Sequence, residues 1–202
     1  MNLRGSRSRY SRSFGRKVDQ KLEDKDPLAR RGPIRRRFRK KSDYGLHLLE
    51  VQVCRMMYGI YERQFRNYMR KAKASKHNTA EELLVLLERR LDNAIYRSGL
   101  ATTRRQARQM VVHRHFWING KPVDRPSYLL RVGDVFEVKP TKLQKPCYND
   151  MQEELVDPRE GFWLQRVGKE GYKFKVERLP KSDEAEQNFD PAFIVEFYSK
   201  FI

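Results

Sequence analysis

Leu91-Asp92-Asn93-Ala94-Ile95-Tyr96-Arg97 is followed by Thr103-Arg104-Arg105-Gln106-Ala107-Arg108-Gln109-Met110-Val111, then by Phe116-Trp117-Ile118-Asn119-Gly120-Lys121 and Val132-Gly133-Asp134-Val135. From Leu87 to Lys139 this reads as two helices joined by a tight turn, then a small antiparallel sheet. Thr103 with Gln106 three residues on fits a capping box and starts the second helix. Ala107, Met110 and Val111 point one way. Arg104 and Arg108 lie one turn apart on the neighbouring face, with Arg105 beside them. The amides of a helix N-terminus also favour anions, so side chains and backbone reinforce each other there. Asn119-Gly120 is a two-residue hairpin turn between Phe116-Trp117-Ile118 and Lys121-Pro122-Val123. Val132-Gly133-Asp134 is a second turn, leading into a strand from Val135 to Lys139.

Upstream, residues 79–98 read as one helix. Thr79 with Glu82 fits a capping box, Gly99 suits the position just past the end, and Leu84, Leu87, Leu91 and Ile95 form the buried face. Residues 46–72 are also helical, with Gly59 as a break between two helices. Leu46, Leu49, Val53, Met57 and Ile60 make one stripe at helical spacing. Tyr58, Tyr61, Phe65 and Tyr68 make a second. Two apolar faces require packing on more than one side. Arg55, Arg63, Arg66 and Arg70 gather on the remaining face, available to phosphate.

Downstream, Phe162 to Val167 and Tyr172 to Leu179 read as strands flanking Gly168-Lys169-Glu170-Gly171. Tyr172, Phe174 and Val176 alternate with Lys173, Lys175 and Glu177, as a half-buried strand requires. The apolar run Phe193-Ile194-Val195-Glu196-Phe197-Tyr198 closes back over another element. The two-faced helical segment needs such a cover.

Charge fixes the class of partner. The 202 residues carry a formal net charge of +18, with 35% charged and 39% hydrophobic residues. A polyanion follows, with nucleic acid ahead of a membrane surface. No apolar run approaches the ~20 residues of a spanning helix. Residues 1–41 carry +12, residues 42–78 and 79–140 carry +4 each, and residues 141–202 carry −2. Residues 1–41 have no helical or strand period and read as an arm that orders on its partner. An organellar transit peptide is the competing reading of the Arg- and Ser-rich start, until Asp19, Glu23, Asp24 and Asp26 break the pattern. Arg35-Arg36-Arg37-Phe38-Arg39-Lys40-Lys41 mimics a nuclear signal but fits phosphate binding better. The cysteines Cys54 and Cys147 form no pair or cluster, so no disulfide framework, structural zinc or other cofactor is expected. Cys54 reads as a buried thiol.

With these pieces placed, the chain resembles the S-four family of small-subunit ribosomal proteins from about Ser42 to Lys200. Ser42-Asp43-Tyr44-Gly45, Glu62-Arg63-Gln64-Phe65-Arg66-Asn67-Tyr68, Leu91-Asp92-Asn93 with Tyr96-Arg97, Thr103 to Val111, and Ile194-Val195-Glu196-Phe197-Tyr198-Ser199-Lys200 look like its motifs. Their occurrence in order is what makes the match specific. The resemblance implies an α+β chain: a basic arm at 1–41, a helical domain at 42–88 and an inserted RNA-binding module at 89–153. At 154–202 it implies strands and a C-terminal segment that returns to the helical domain. It implies direct binding of small-subunit ribosomal RNA early in assembly, and an influence on translational accuracy. Neighbours would be other small-subunit proteins, the S-five family among them, and messenger RNA where it enters the particle. No membrane is involved. The setting is the small subunit in a cytoplasm, with an organellar ribosome left open. Many bacterial relatives carry an N-terminal zinc-holding cysteine cluster; this chain has no cysteine before Cys54.

The candidate RNA-binding residues are Arg35, Arg36, Arg37, Arg39, Lys40, Lys41, Arg55, Arg63, Arg66, Arg70, Arg97, Arg104, Arg105, Arg108, His113, Arg114, Asn119 and Lys121. Two other functions compete. One is a free-standing RNA-binding factor, such as a stress or recycling protein. The other is an RNA pseudouridine synthase, because Arg90-Leu91-Asp92 with Ser98-Gly99-Leu100 superficially resembles that catalytic motif. The enzyme would need Asp92 at an open cleft. Inside a capped helix, Asp92 instead suits a surface pair or a turn-bracing bond to Arg89 or Arg97. The residues after Pro140 are also too few for a catalytic domain.

Overall fold

The computed structural model describes residues 7–16, 42–145, 148, 162–168, 172–185 and 188–201. Its helices are α1 (Arg7–Phe14), α2 (Asp43–Tyr58), α3 (Glu62–Ala74), α4 (Thr79–Glu88), α5 (Leu91–Arg97), α6 (Arg104–Val112), α7 (Pro140–Leu143) and α8 (Pro191–Ser199). The strands are β1 (Phe116–Ile118), β2 (Lys121–Val123), β3 (Val135–Val138), β4 (Leu164–Arg166) and β5 (Lys173–Val176). The chain forms two compact units, one of residues 1–84 with 182–202 and one of residues 85–181. The architecture is α+β, as expected.

In the helical unit, Ser42 caps α2 by accepting the Gly45 amide at 3.3 Å. The helix stops at Gly59, whose φ of +65° is left-handed. The Gly59 amide bonds the Met56 carbonyl and the Ile60 amide bonds the Arg55 carbonyl, closing the helix end. The two expected stripes are mostly buried, including Val53, Met57, Ile60, Tyr58, Phe65 and Tyr68, but Leu46 and Tyr61 are exposed.

The cover predicted for these helices is α8. Asp190 caps it through the Ala192 amide, with Pro191 in the first turn. Ile194, Phe197 and Tyr198 are buried. The Tyr198 ring lies 5.6 Å from Phe65, and Phe197 lies 5.4 Å from Tyr44. Phe193 departs from expectation: it stays exposed, stacked on His47 at 4.9 Å.

The reading of residues 1–41 as lacking helical period is corrected at α1. Tyr10 and Phe14 stand one turn apart with rings 6.1 Å apart, and Ser11 is fully buried. Arg16 then reaches the buried carboxylate of Glu50 at 2.7 Å. Arg35, Arg36, Arg37, Arg39, Lys40 and Lys41, with the rest of the arm, lie outside the described residues.

The helix expected at 79–98 is two helices. The cap of α4 is Asn78, whose side-chain oxygen accepts the Ala80 amide, rather than Thr79. The break falls at Arg89–Arg90, where Arg90 is extended and bridges Leu129. The amides of Leu91 and Asp92 bond the carbonyls of Tyr128 and Pro126, and the Leu130 amide bonds the Arg89 carbonyl. A strand-like pairing with residues 126–130 thus replaces helical bonds.

The five-stranded sheet has the order β2-β1-β3-β5-β4, with every pair antiparallel. Pro122 sits on the edge strand β2, where a missing amide is tolerated. β4 and β5 extend the module's own sheet, and only the segment from Ser182 joins the helical unit. The core gathers Leu91, Ile95, Ala107, Val111, Phe116, Phe136, Trp163, Phe174 and Val176.

The docking of α8 has a direct stability consequence. Ile194→Ala should lower the stability of the helical unit by about 2–5 kcal/mol, the usual cost of emptying a buried aliphatic site. Thermal melting followed by circular dichroism checks it, and an unchanged midpoint would contradict the packing described.

Candidate nucleic-acid interface

Two basic faces emerge, one on each unit. On the helical unit, Arg63, Arg66 and Arg70 recur every three or four residues of α3 and are exposed, lining an open groove with Asn67 and Glu62. Glu62 organises this groove. Its Oε1 accepts from Arg66 Nε at 2.9 Å and from the Tyr198 hydroxyl at 2.8 Å, while Oε2 pairs with Arg55 Nη1 at 2.6 Å. Partial burial pushes the Glu62 carboxyl up. The bonds from Arg66 and Tyr198 and the charges of Arg55 and Arg66 outweigh this and hold it below its ordinary value. The Tyr198 phenol is displaced upward, by its burial first and by its bond to Glu62 second.

The placement of Arg55 with these arginines is corrected. Its residue is only 7% exposed, and its guanidinium is engaged with Glu62 beneath the surface. It supports the groove rather than lining it.

On the module, α6 carries the second face. Thr103 caps it by accepting the Gln106 amide. The Gln106 side chain reaches back to the amide and hydroxyl of Thr102. Arg105 is exposed, and Arg104 and Arg108 are half-buried. Arg104 Nε donates to Asn93 Oδ1 at 2.8 Å, and its guanidinium carbon lies 4.4 Å above the Tyr96 ring. Arg108 lies 3.5 Å from Asp92 Oδ2.

Beneath them, Glu88 is fully buried. It accepts from Asn93 Nδ2 at 2.8 Å and from Arg97 through Nε at 3.0 Å and Nη2 at 3.1 Å. Arg97 is therefore tied inward along one edge.

Asp92 is 4% exposed and takes a two-pronged bond from buried Arg90, at 3.0 and 2.7 Å. The expected surface pair with Arg89 or Arg97 is thus corrected to Arg90, with Arg108 nearby. Arg89 instead donates Nε to the Leu130 carbonyl. A carboxylate enclosed in this way cannot attack a nucleoside, and the pseudouridine synthase reading loses its nucleophile.

The remaining candidates divide. His113 and Lys121 are exposed. Arg114, at φ +56°, is exposed and paired with Asp124 at 3.0 Å. Asn119 is exposed and also serves the turn. It adopts φ +49° before Gly120 at +75°, bonds Asp134 Oδ1 through Nδ2, and accepts the Val135 amide on Oδ1.

His115, two residues past His113, is buried with Nδ1 3.0 Å from the Tyr148 hydroxyl. Burial, then the charges of Lys145, Lys142 and His113, push it down to about 4. It is neutral at pH 7 and is no phosphate ligand.

Reading the sequence missed Glu88, Asn93 and Tyr96, the residues that hold the arginines. The available signal was Asn93 in mid-helix, a position where asparagine is tolerated when its side chain has a task.

A helix pair presenting anchored arginines above a small sheet, in a chain of net charge +18, defines a nucleic-acid-binding protein with a basic module. The family model described as "S4 domain" matches residues 89–136, and that described as "Ribosomal protein S4/S9 N-terminal domain" matches residues 2–88. The small ribosomal subunit protein uS4 of Aquifex aeolicus is 43% identical over 203 residues, covering 95% of each chain. Those of Thermodesulfovibrio yellowstonii and Roseiflexus castenholzii are 49% and 43% identical, over 80% and 86% of this chain and 77% and 84% of their own. The chain belongs to the S4 family of small-subunit ribosomal proteins.

His115 makes the module acid-sensitive. Its value is near 4 when folded, below the ordinary 6.5 of a histidine in water. Its contribution to stability is therefore complete above about pH 6.5 and is lost as the pH falls toward 4, because the unfolded chain takes up a proton that the folded one refuses. The loss amounts to at most about 3 kcal/mol. His115→Gln, which keeps a partner for Tyr148, should remove that share of the pH dependence of the urea midpoint. Identical pH profiles would contradict it.

Proposed function

We propose that this chain is a structural, non-catalytic constituent of the small ribosomal subunit. It binds small-subunit ribosomal RNA directly through the arginine face of α6 and the groove of α3. The observation that carries this reading is the array of Arg97, Arg104 and Arg108, anchored from below on α5 and α6. A solvated face has no need of such anchoring. Arg63, Arg66 and Arg70 supply a second set of guanidiniums in the same chemistry. Guanidinium groups grip phosphate through paired donors, which suits the backbone of a folded RNA.

The setting is a small ribosomal subunit, as the names of its relatives say of them, and that subunit lies in the cytoplasm. Early binding that nucleates the body of the subunit, an influence on decoding accuracy, contact with an S-five-family neighbour and proximity to entering messenger RNA belong to the same reading. They rest on the family to which the chain belongs. Arg35, Arg36, Arg37, Arg39, Lys40 and Lys41 would add phosphate contacts from the arm, and Arg105, His113, Arg114 and Lys121 from the module. A free-standing factor would share the module, but family matches that run through residues 2–136 favour the ribosomal constituent.

Filter binding to a small-subunit RNA fragment tests the reading. Affinity should fall steeply with salt, because bound phosphates release counterions. Arg104→Ala with Arg108→Ala should weaken binding by roughly a hundredfold, since each charge-assisted contact is worth about 1.5–3 kcal/mol. Both side chains also bond the module, so a melting curve should show a modest stability loss of about 1–2 kcal/mol. A threefold or smaller effect on binding, or affinity indifferent to salt, would overturn the reading.

A further inference from the structure

We propose that Glu88, acting through Asn93 and with Tyr96, is a positioning residue that makes the module selective for structured RNA over flexible polyanions. The proposal rests on the RNA-binding reading above and names what sets its specificity.

An anion under an RNA-binding face is unexpected on charge grounds alone. Glu88 lowers the positive potential that phosphate meets, and it occupies a fully buried site. Its bonds explain its presence. One carboxylate holds Arg97 by two donors and Asn93 by a third. The same Asn93 side chain, fixed by donating to Glu88, turns its oxygen outward to Arg104 Nε at 2.8 Å. Asparagine is suited to this relay because it donates from one atom and accepts on another. Tyr96 then supports the Arg104 guanidinium from its face at 4.4 Å.

The chain Glu88–Asn93–Arg104 thus fixes one edge and one face of a guanidinium that would otherwise sample many rotamers. Arg97 binds the carboxylate directly, and Arg104 is reached from it through Asn93.

The consequence is selectivity. A flexible polyanion follows arginines wherever they move, so it gains little from their being held. A folded RNA has phosphates at set positions and rewards guanidiniums already in register, because no ordering cost remains at binding. Simple electrostatics and positioning therefore predict opposite signs for one substitution. Glu88→Gln raises the net charge by one and should tighten all polyanion binding if charge alone matters. If Glu88 positions, it should weaken binding to folded RNA.

The test compares the full-length wild type with Glu88→Gln and Asn93→Ala, titrated with a folded small-subunit RNA fragment and with poly(U). Melting curves are recorded for each protein. The proposal expects Glu88→Gln to bind the folded fragment at least tenfold more weakly, with poly(U) unchanged within twofold or tighter. Asn93→Ala leaves every charge in place and carries the test should Glu88→Gln fold poorly. It removes the oxygen that holds Arg104 Nε and the amide that binds Glu88. It should lose at least fivefold on the folded fragment and nothing on poly(U).

Folded-fragment affinity that is unchanged or tighter in either variant, where it melts like the wild type, overturns the proposal. So does a parallel loss on both ligands in a variant that melts like the wild type. A wild-type protein that fails to bind the fragment overturns the RNA-binding reading itself, and this proposal with it.

Discussion

Carboxylate–guanidinium pairing is the interaction on which this strongly cationic chain depends. Its arginines must come close together to form faces, and like charges resist that. Carboxylates placed beneath the surface relieve the repulsion at each point. Glu50 receives Arg16 and also the Asp190 amide at the start of α8. Glu62 joins Arg55, Arg66 and Tyr198. Glu88 joins Arg97 and Asn93, and Asp92 joins Arg90. Where both partners are buried, as in Arg90–Asp92, removing one strands a charge, at a cost of about 3–5 kcal/mol. The pairs therefore serve folding and surface chemistry together.

Each unit repeats one device: an aromatic side chain and a carboxylate fix an arginine. In the helical unit Tyr198 and Arg66 share Glu62, so the docked C-terminal helix reaches the groove through a single carboxylate. In the module Tyr96 lies under Arg104, and Glu88 acts through Asn93. Binding geometry is thereby tied to the packing of the domain rather than left to long, free side chains.

Features set by neighbouring residues were legible in the sequence. Thr103 caps its helix as its spacing implies, Gly59 ends α2 with a positive φ, and Asn119-Gly120 makes the hairpin turn. The apolar run at 193–198 covers the helical unit because it has no other way to leave water. Features set by distant partners were not legible. The break at Arg89–Arg90 is made by bonds to residues 126–130, which a helical pattern does not reveal. β4 and β5 join the module's sheet across a long stretch of chain. The arginine faces were visible as residue types, but not which guanidiniums are turned inward. Arg55 had the spacing of an outward residue and is buried on Glu62, while Glu88 had nothing to set it apart from a surface acid.

The central claim is that the anchored arginines of α6 and the open arginines of α3 meet RNA phosphates. An electron cryomicroscopy map of small subunits carrying this chain tests it most directly. The account predicts phosphate oxygens within ~3 Å of the guanidiniums of Arg104 and Arg108 and of Arg63 or Arg70, as charge-assisted hydrogen bonds require. It also predicts Glu88 still buried on Arg97 and Asn93. A map in which these faces meet solvent or protein, with RNA elsewhere on the chain, would contradict it.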